Sequence, residues 1–175
     1  FGLAAAAFGS AAFAADCGMN TGQAATGQPI PIGAIVTASG AADLSTGAKG
    51  AEAYFKCVNA NGGIDGRPIA YTFDDDQTRP DKAAEIAKKL VEDNKSVALV
   101  GSSSLVDCLL TAQYYKDQGI LSLMAGGVAP QCFNATNIAP FNAGPRYGLL
   151  SVVKYAVATL GIKHLVCPQP TVPGA

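Results

Sequence analysis

The chain has 175 residues, 49% of them hydrophobic and 14% charged, with a formal net charge of −1. That length suits one domain, or a domain and a piece, with enough apolar residues for a sizeable core. The near-zero charge argues against nucleic acid or an anionic membrane as an electrostatic partner. A single His excludes any two-His metal motif, and the absence of Trp leaves no Trp anchor for a ligand.

Residues 1–15 are almost all Ala, Phe, Leu and Gly, and Ala12-Phe13-Ala14 precedes Ala15-Asp16. This is the pattern of a signal-peptide remnant, an apolar region followed by an A-x-A cleavage site. The alternative is a buried N-terminal helix. The segment is shorter than the about 20 apolar residues a membrane span takes. Asp16 before Cys17 departs from a lipoprotein box. Residues 16–29, rich in Gly, Thr, Gln and Ala, read as a flexible lead-in.

The stretch that organises the chain is 30–76. Residues 30–36 form a short apolar run with β-branched members, which suits a strand buried on both faces. Ala48, Ala51, Phe55 and Val58 recur at helical spacing, so 45–61 is an amphipathic helix. Gly62-Gly63 stops it, Asp65-Gly66 turns the chain, and 68–73 is a second strand. Strand, helix and strand at this length make a βαβ unit with parallel strands.

The alternation continues. Thr78 and Asp81 have capping-box spacing, with Pro80 in the first turn of a second helix. Its apolar face is Ala83, Ala87, Leu90 and Val91. A third strand covers 96–100, and Gly101-Ser102-Ser103-Ser104 is the turn after it. A third helix carries Leu105, Cys108, Leu109 and Ala112. A fourth strand covers 120–124, and a Gly-, Ala-, Pro- and Asn-rich stretch runs on to Asn142. A fourth helix carries Leu149, Val152, Val153, Ala156 and Leu160, and a fifth strand covers 164–167. Short strands alternating with helices mean an α/β fold with a mostly parallel sheet.

Ligands of open α/β sheets bind outside the carboxyl ends of the strands. That places four loops at a site: 39–45, 74–78, 101–104 and 125–130. Ser102, Ser103 and Ser104 stand at the start of a helix, where free N–H groups and the dipole favour an anion. The alternative is a plain Ser N-cap. Asp74-Asp75-Asp76 is a carboxylate cluster of the type that holds Mg²⁺ in phosphoryl-transfer domains. No Asp follows Val100 or Met124 directly, so the partner carboxylate is missing and the structural reading is favoured. G-x-G-x-x-G, G-x-x-x-x-G-K-[ST], G-x-S-x-G and C-x-x-C motifs do not occur. His164 opens an apolar run and reads as structural.

Gly47-Ala48-Lys49-Gly50-Ala51-Glu52, the block Asn61-Gly62-Gly63-Ile64-Asp65-Gly66-Arg67, and Asp74-Asp75-Asp76 resemble the opening of a type I periplasmic solute-binding protein. The branch is the leucine/isoleucine/valine-binding family of ABC-transporter receptors. The resemblance continues through Lys89-Leu90-Val91, Val97-Ala98-Leu99-Val100-Gly101-Ser102-Ser103 and Gly119-Ile120-Leu121. It implies a parallel-sheet, Rossmann-like N-terminal lobe over 30–140, incomplete here. The start of a second lobe follows over 141–175, with most of that lobe absent.

The resemblance also implies a function. The chain would belong to an exported, periplasmic or cell-surface receptor that catalyses nothing and needs no cofactor. It would capture a small polar organic ligand, an amino acid or a related amide or carboxylate, for an ABC importer's membrane permease. Ser102 and Ser103, with Ser104, would meet the ligand's carboxylate, and Ala125, Gly126, Gly127 and Val128 would line the opposite side. The family's Thr is replaced by Val128 and its Tyr by Pro173, which puts an α-amino-acid ligand in doubt. The other readings are a ligand-sensing ectodomain on the same fold, and a small flavodoxin-like enzyme or phosphotransfer domain using Asp74, Asp75 and Asp76.

Five Cys behind a secretion signal suggest disulfides in an oxidising compartment, with one Cys left over. Cys108, early in the third helix, and Cys132, in the loop after the neighbouring strand, lie on adjacent crossovers. Strand spacing of about 5 Å puts them within disulfide reach. Only the lead-in carrying Cys17 is free to reach Cys57, late in the first helix. Cys167 is left over.

Overall fold

The computed structural model describes residues 17–40, 42–166 and 168. The signal-remnant assignment, Cys167 and the Pro173-Gly174 segment lie outside them. In chain order the elements are β1 (Ile30–Val36), α1 (Thr46–Ala60), β2 (Ile69–Asp75), α2 (Pro80–Lys88), β3 (Ala98–Ser102), α3 (Asp107–Asp117), β4 (Leu121–Met124), α4 (Pro130–Asn134), β5 (Ile138–Pro140) and α5 (Pro145–Ala158). A π-helical turn, Lys89–Asp93, extends α2.

The five strands form one sheet in the order β2-β1-β3-β4-β5, every neighbouring pair parallel. The β1–α1–β2 unit is the predicted βαβ, with Ile30 opposite Ile69 and Val36 opposite Asp75. Central β1 is covered on both faces, which is why its sequence is a continuous apolar run. Ile32, Ala34 and Val36 pack with Ala48, Phe55 and Val58 of α1. Ile35 packs on the opposite side with Ile86, Ala87 and Leu90 of α2 and its extension, together with Leu99 and Tyr115.

The cover is uneven. On β4, Ser122 and Met124 are buried against the α3 side, whereas Leu121 and Leu123 are 62% and 46% exposed. The α1 layer stops at β3, so the other half of that sheet face is bare among the described residues. Helix α5 is also largely uncovered: Leu150, Val152, Tyr155 and Val157 are exposed, and only Ala156 is buried.

Four local expectations need correction. Residues 164–166 are irregular rather than a fifth strand. A parallel strand needs a neighbour to accept its N–H groups, and none of the five strands pairs with this segment. Strand β5 has three residues and ends in Pro140, so it was hidden inside the long loop, as was α4. The capping box at α2 does not form. Thr78 has φ +60° and its N–H bonds Asp76 Oδ1 at 2.9 Å, while Asp81 pairs with Arg79 instead. Finally, β3 covers Ala98–Ser102 rather than 96–100, two residues further along, so Ser102 ends a strand rather than lying in a turn.

Both disulfides are present. Cys17 joins Cys57, fastening the lead-in to the last turn of α1, with a Cα–Cα distance of 6.1 Å. Cys108 joins Cys132 across 5.3 Å, fastening α4 to α3.

Candidate ligand-binding site

The four loops expected at a site do emerge together at the carboxyl end of the sheet. What binds the first three to one another is Asp76. This buried carboxylate accepts the Thr37 hydroxyl and the Thr78 N–H, each at 2.9 Å, and the Ser104 hydroxyl. Thr37 in turn accepts the Leu105 N–H at 3.1 Å. The ends of β1, β2 and β3 are thus fixed through two side chains. Thr37 was not singled out from sequence. The available signal was a hydroxyl and a carboxylate at the ends of two adjacent strands.

Asp75 organises the outer loop. Its carboxylate accepts the N–H groups of Ala38 at 2.8 Å, Ser39 at 3.3 Å and Gln77 at 2.9 Å, and the Ser39 hydroxyl at 2.5 Å. Desolvation pushes the Asp75 carboxyl up, but the Ser39 hydroxyl and these N–H donors outweigh it and hold the group at about 2. Asp74 points elsewhere and pairs with Lys89 at 2.9 Å. The three carboxylates therefore have separate protein partners. Among the described residues no group of His, Cys, Asp or Glu side chains is arranged to hold a metal ion.

The serine turn is built differently from a row of free hydroxyls. Gly101 has φ +85° and marks a bulge, two residues of β3 facing one of β4 between Leu123 and Met124. The bulge lets the Ser102 hydroxyl accept the Ile35 N–H at 3.1 Å inside the sheet. Ser103 donates its hydroxyl to the Leu44 carbonyl at 2.5 Å and bridges β1 through Thr37 N–H and Ile35 C=O. The Ser104 hydroxyl also accepts the N–H groups of Val106 at 3.0 Å and Asp107 at 2.8 Å, so it caps α3. All three serines are buried, Ser102 fully and Ser103 at 7% exposure.

The 125–128 segment lies against this turn. The N–H of Ala125 bonds the Ser102 carbonyl at 2.8 Å, and that of Gly126 bonds the same oxygen at 3.4 Å. Gly47, at the start of α1, touches the same segment: a Cβ there would lie 2.3 Å from that of Ala125. Gly127 is held by a residue the sequence did not flag. Asn142 accepts the Gly127 N–H and donates to the Gly127 carbonyl, both at 2.8 Å. Around Gly126, in contrast, a Cβ would meet nothing within 4 Å. The structure thus brings Ser102, Ser103 and Ser104 beside Ala125 and Gly126, with Gly127 and Val128 following.

Behind the turn lies Asp107, fully buried in the first turn of α3. It accepts the hydroxyls of Thr111 at 2.6 Å and Tyr115 at 2.8 Å, and its Oδ2 has no hydrogen-bond partner. Desolvation pushes its carboxyl up to about 6, and the two hydroxyls only partly offset this. Burial and the neighbouring Asp107 push the Tyr115 phenol well up.

A model of the periplasmic binding protein family matches residues 29–172. The chain belongs to that family. Among curated relatives, an amino acid binding protein of Pseudomonas aeruginosa is 31% identical over 83 residues. A Leu/Ile/Val-binding protein homolog of Brucella abortus is 35% identical over 102. These alignments take in 47% and 58% of this chain but only 22% and 27% of the two relatives. Solved structures share the fold. The branched-chain amino acid transporter substrate binding protein LivJ of Streptococcus pneumoniae, in complex with isoleucine, superposes with a TM-score of 0.68 at 22% identity. The match covers 77% of this chain and 39% of that one. A solute binding protein of an ABC transporter from Rhodopseudomonas palustris, in complex with 3,4-dihydroxy benzoic acid, gives 0.60 at 16% identity, over 77% and 37%. The parallel lobe described above is therefore a part of a type I periplasmic binding protein fold.

Proposed function

We propose that this chain is the N-terminal lobe, with the start of a second lobe, of an extracytoplasmic receptor that captures a small organic solute and presents it to an ABC importer's permease. The ligand class is an amino acid or a related carboxylate or amide. The observation that carries this is the open floor at Gly126, set directly against a serine turn whose conformation is fixed by Asp76, Thr37 and the Gly101 bulge. The two bridged cysteine pairs fit an oxidising compartment. The relatives named as binding amino acids support the ligand class.

On this reading the residues have two duties. The hydroxyls of Ser102, Ser103 and Ser104 are committed to the protein and shape the turn. The surface offered to ligand is the outer edge of Ser103 with Ala125, Gly126 and Val128, beside Gly127, whose backbone groups Asn142 holds in place. Calorimetric titration of the full-length protein with amino acids and their amide and acid analogues tests it. Gly126→Leu places a side chain where the protein has no atoms, so the melting temperature should hold while affinity falls by at least about tenfold. Unchanged affinity in that variant would remove the site from this floor.

A further inference from the structure

Beside Val128 lies a cleft of about 400 Å³, within the volume range of small-molecule sites and open to solvent, with Phe133, Arg146 and Tyr147 exposed along it. Its walls include Val128, Pro130 and Phe133 from the sheet side, and Pro145, Arg146 and Tyr147 from the first turn of α5. Gly144 lets the two sides meet: a Cβ there would lie 2.9 Å from the Phe133 ring. The lining is mostly apolar and aromatic. Arg146 is its one charged side chain, and no acidic residue lines the cleft. Among the described residues no carboxylate pairs with Arg146.

An unpaired guanidinium beside a mostly apolar cleft attracts an anion, and its planar fork fits a carboxylate with two parallel hydrogen bonds. An α-ammonium group would find no acidic side chain there and would face the Arg146 charge. We propose that this cleft takes an apolar monocarboxylate, its carboxylate on Arg146 and its hydrocarbon or ring between Phe133 and Tyr147. The inference rests on the receptor reading and sharpens it, because the cleft shares Val128 with the loop assigned to ligand. It predicts that the acid lacking an amino group is preferred over the amino acid of the same skeleton.

The experiment is a titration of the full-length protein with isocaproate and hydrocinnamate. Each is compared with its neutral amide and with L-leucine or L-phenylalanine. The expected result is that at least one acid binds about tenfold or more tightly than both its amide and its amino acid. Arg146→Gln should abolish that preference at an unchanged melting temperature, and Arg146→Lys should restore part of it. Binding of the amino acids without the acids overturns the proposal, as does a preference that survives Arg146→Gln. In both cases the receptor reading stands, because a ligand is still bound and still sensitive to Gly126→Leu. Failure of every compound to bind overturns both.

Discussion

The buried carboxylate of Asp76 accepts the hydroxyl of Thr37 at 2.9 Å, tying the loop after β2 to the end of β1. Asp76→Ala leaves that hydroxyl, the Ser104 hydroxyl and the Thr78 N–H short of an acceptor in a dry environment. An unmade buried hydrogen bond costs about 1–3 kcal/mol, so a loss of roughly 3 kcal/mol is expected for the group, with Asp76→Asn milder. Urea unfolding of the chain measures it. A loss under about 0.5 kcal/mol, the range of ordinary surface changes, would mean that Asp76 is not the knot described here.

Asp107 sets an opposite pH dependence from Asp75. Its folded pKa, about 6, is above the ordinary carboxylate value of about 3.9. The folded state therefore holds the proton more tightly. The stability this group contributes is complete below about pH 4 and is lost as pH rises through about 6. Asp75, held at about 2, contributes above about pH 4 and loses that contribution as pH falls towards 2. Denaturation midpoints of wild type and Asp107→Asn should diverge between pH 4 and pH 7, with the wild type losing more, by on the order of 2 kcal/mol. Parallel pH profiles would show that Asp107 does not titrate in this window.

The Cys108–Cys132 bridge closes a loop with a sequence separation of 24. In the chain-entropy view such a loop is worth roughly 3 kcal/mol. The double variant Cys108→Ala, Cys132→Ala should lose about that much, and the segment carrying Gly127 should gain hydrogen-exchange rate despite the Asn142 pair. Non-reducing peptide mapping provides the direct check: Cys108 recovered as an alkylatable thiol from oxidised protein refutes the bridge.

The bare apolar surfaces on β4 and α5 should make this 175-residue chain bind ANS or self-associate. Leu121→Lys with Leu123→Glu should reduce the dye signal without unfolding the sheet, since both side chains already face solvent. Sedimentation of the unmodified chain as a dye-negative monomer would contradict this.

Most of the architecture could be read from period and punctuation. The run at 30–36, the helical spacing of Ala48, Phe55 and Val58, and the Gly62-Gly63 stop locate β1, α1 and β2 because β1 is largely buried, α1 buries one apolar stripe, and their signals are local. What escaped notice was short or non-local. The three residues of β5 carry no period, and α4 is barely one turn. Whether 164–166 can be a strand depends on which neighbour is present, a property of the sheet and not of those residues. The site shows the same division. The serine turn and the glycine segment were placed side by side by the rule for α/β sheets. Which hydroxyls are already in use could not be foreseen, because Ser102 is committed by a bulge at Gly101, and Ser104 by a carboxylate 28 positions earlier. The pairing of Asn142 with Gly127 gave no local signal at all.

The two disulfides follow one another along the chain and do not interleave: 17 with 57, then 108 with 132. A polypeptide that emerges amino end first meets its correct partners in order. Of these five cysteines, only Cys17 precedes Cys57, and that pair can be sealed before Cys108 appears. Cys167, the fifth, arrives after both pairs are complete. Wrong pairings, numerous for five cysteines released together in a refolding tube, are thinned by the timing of emergence alone. Oxidative refolding of the denatured, reduced chain should therefore yield more scrambled species than vectorial delivery does, and should depend more on a disulfide isomerase.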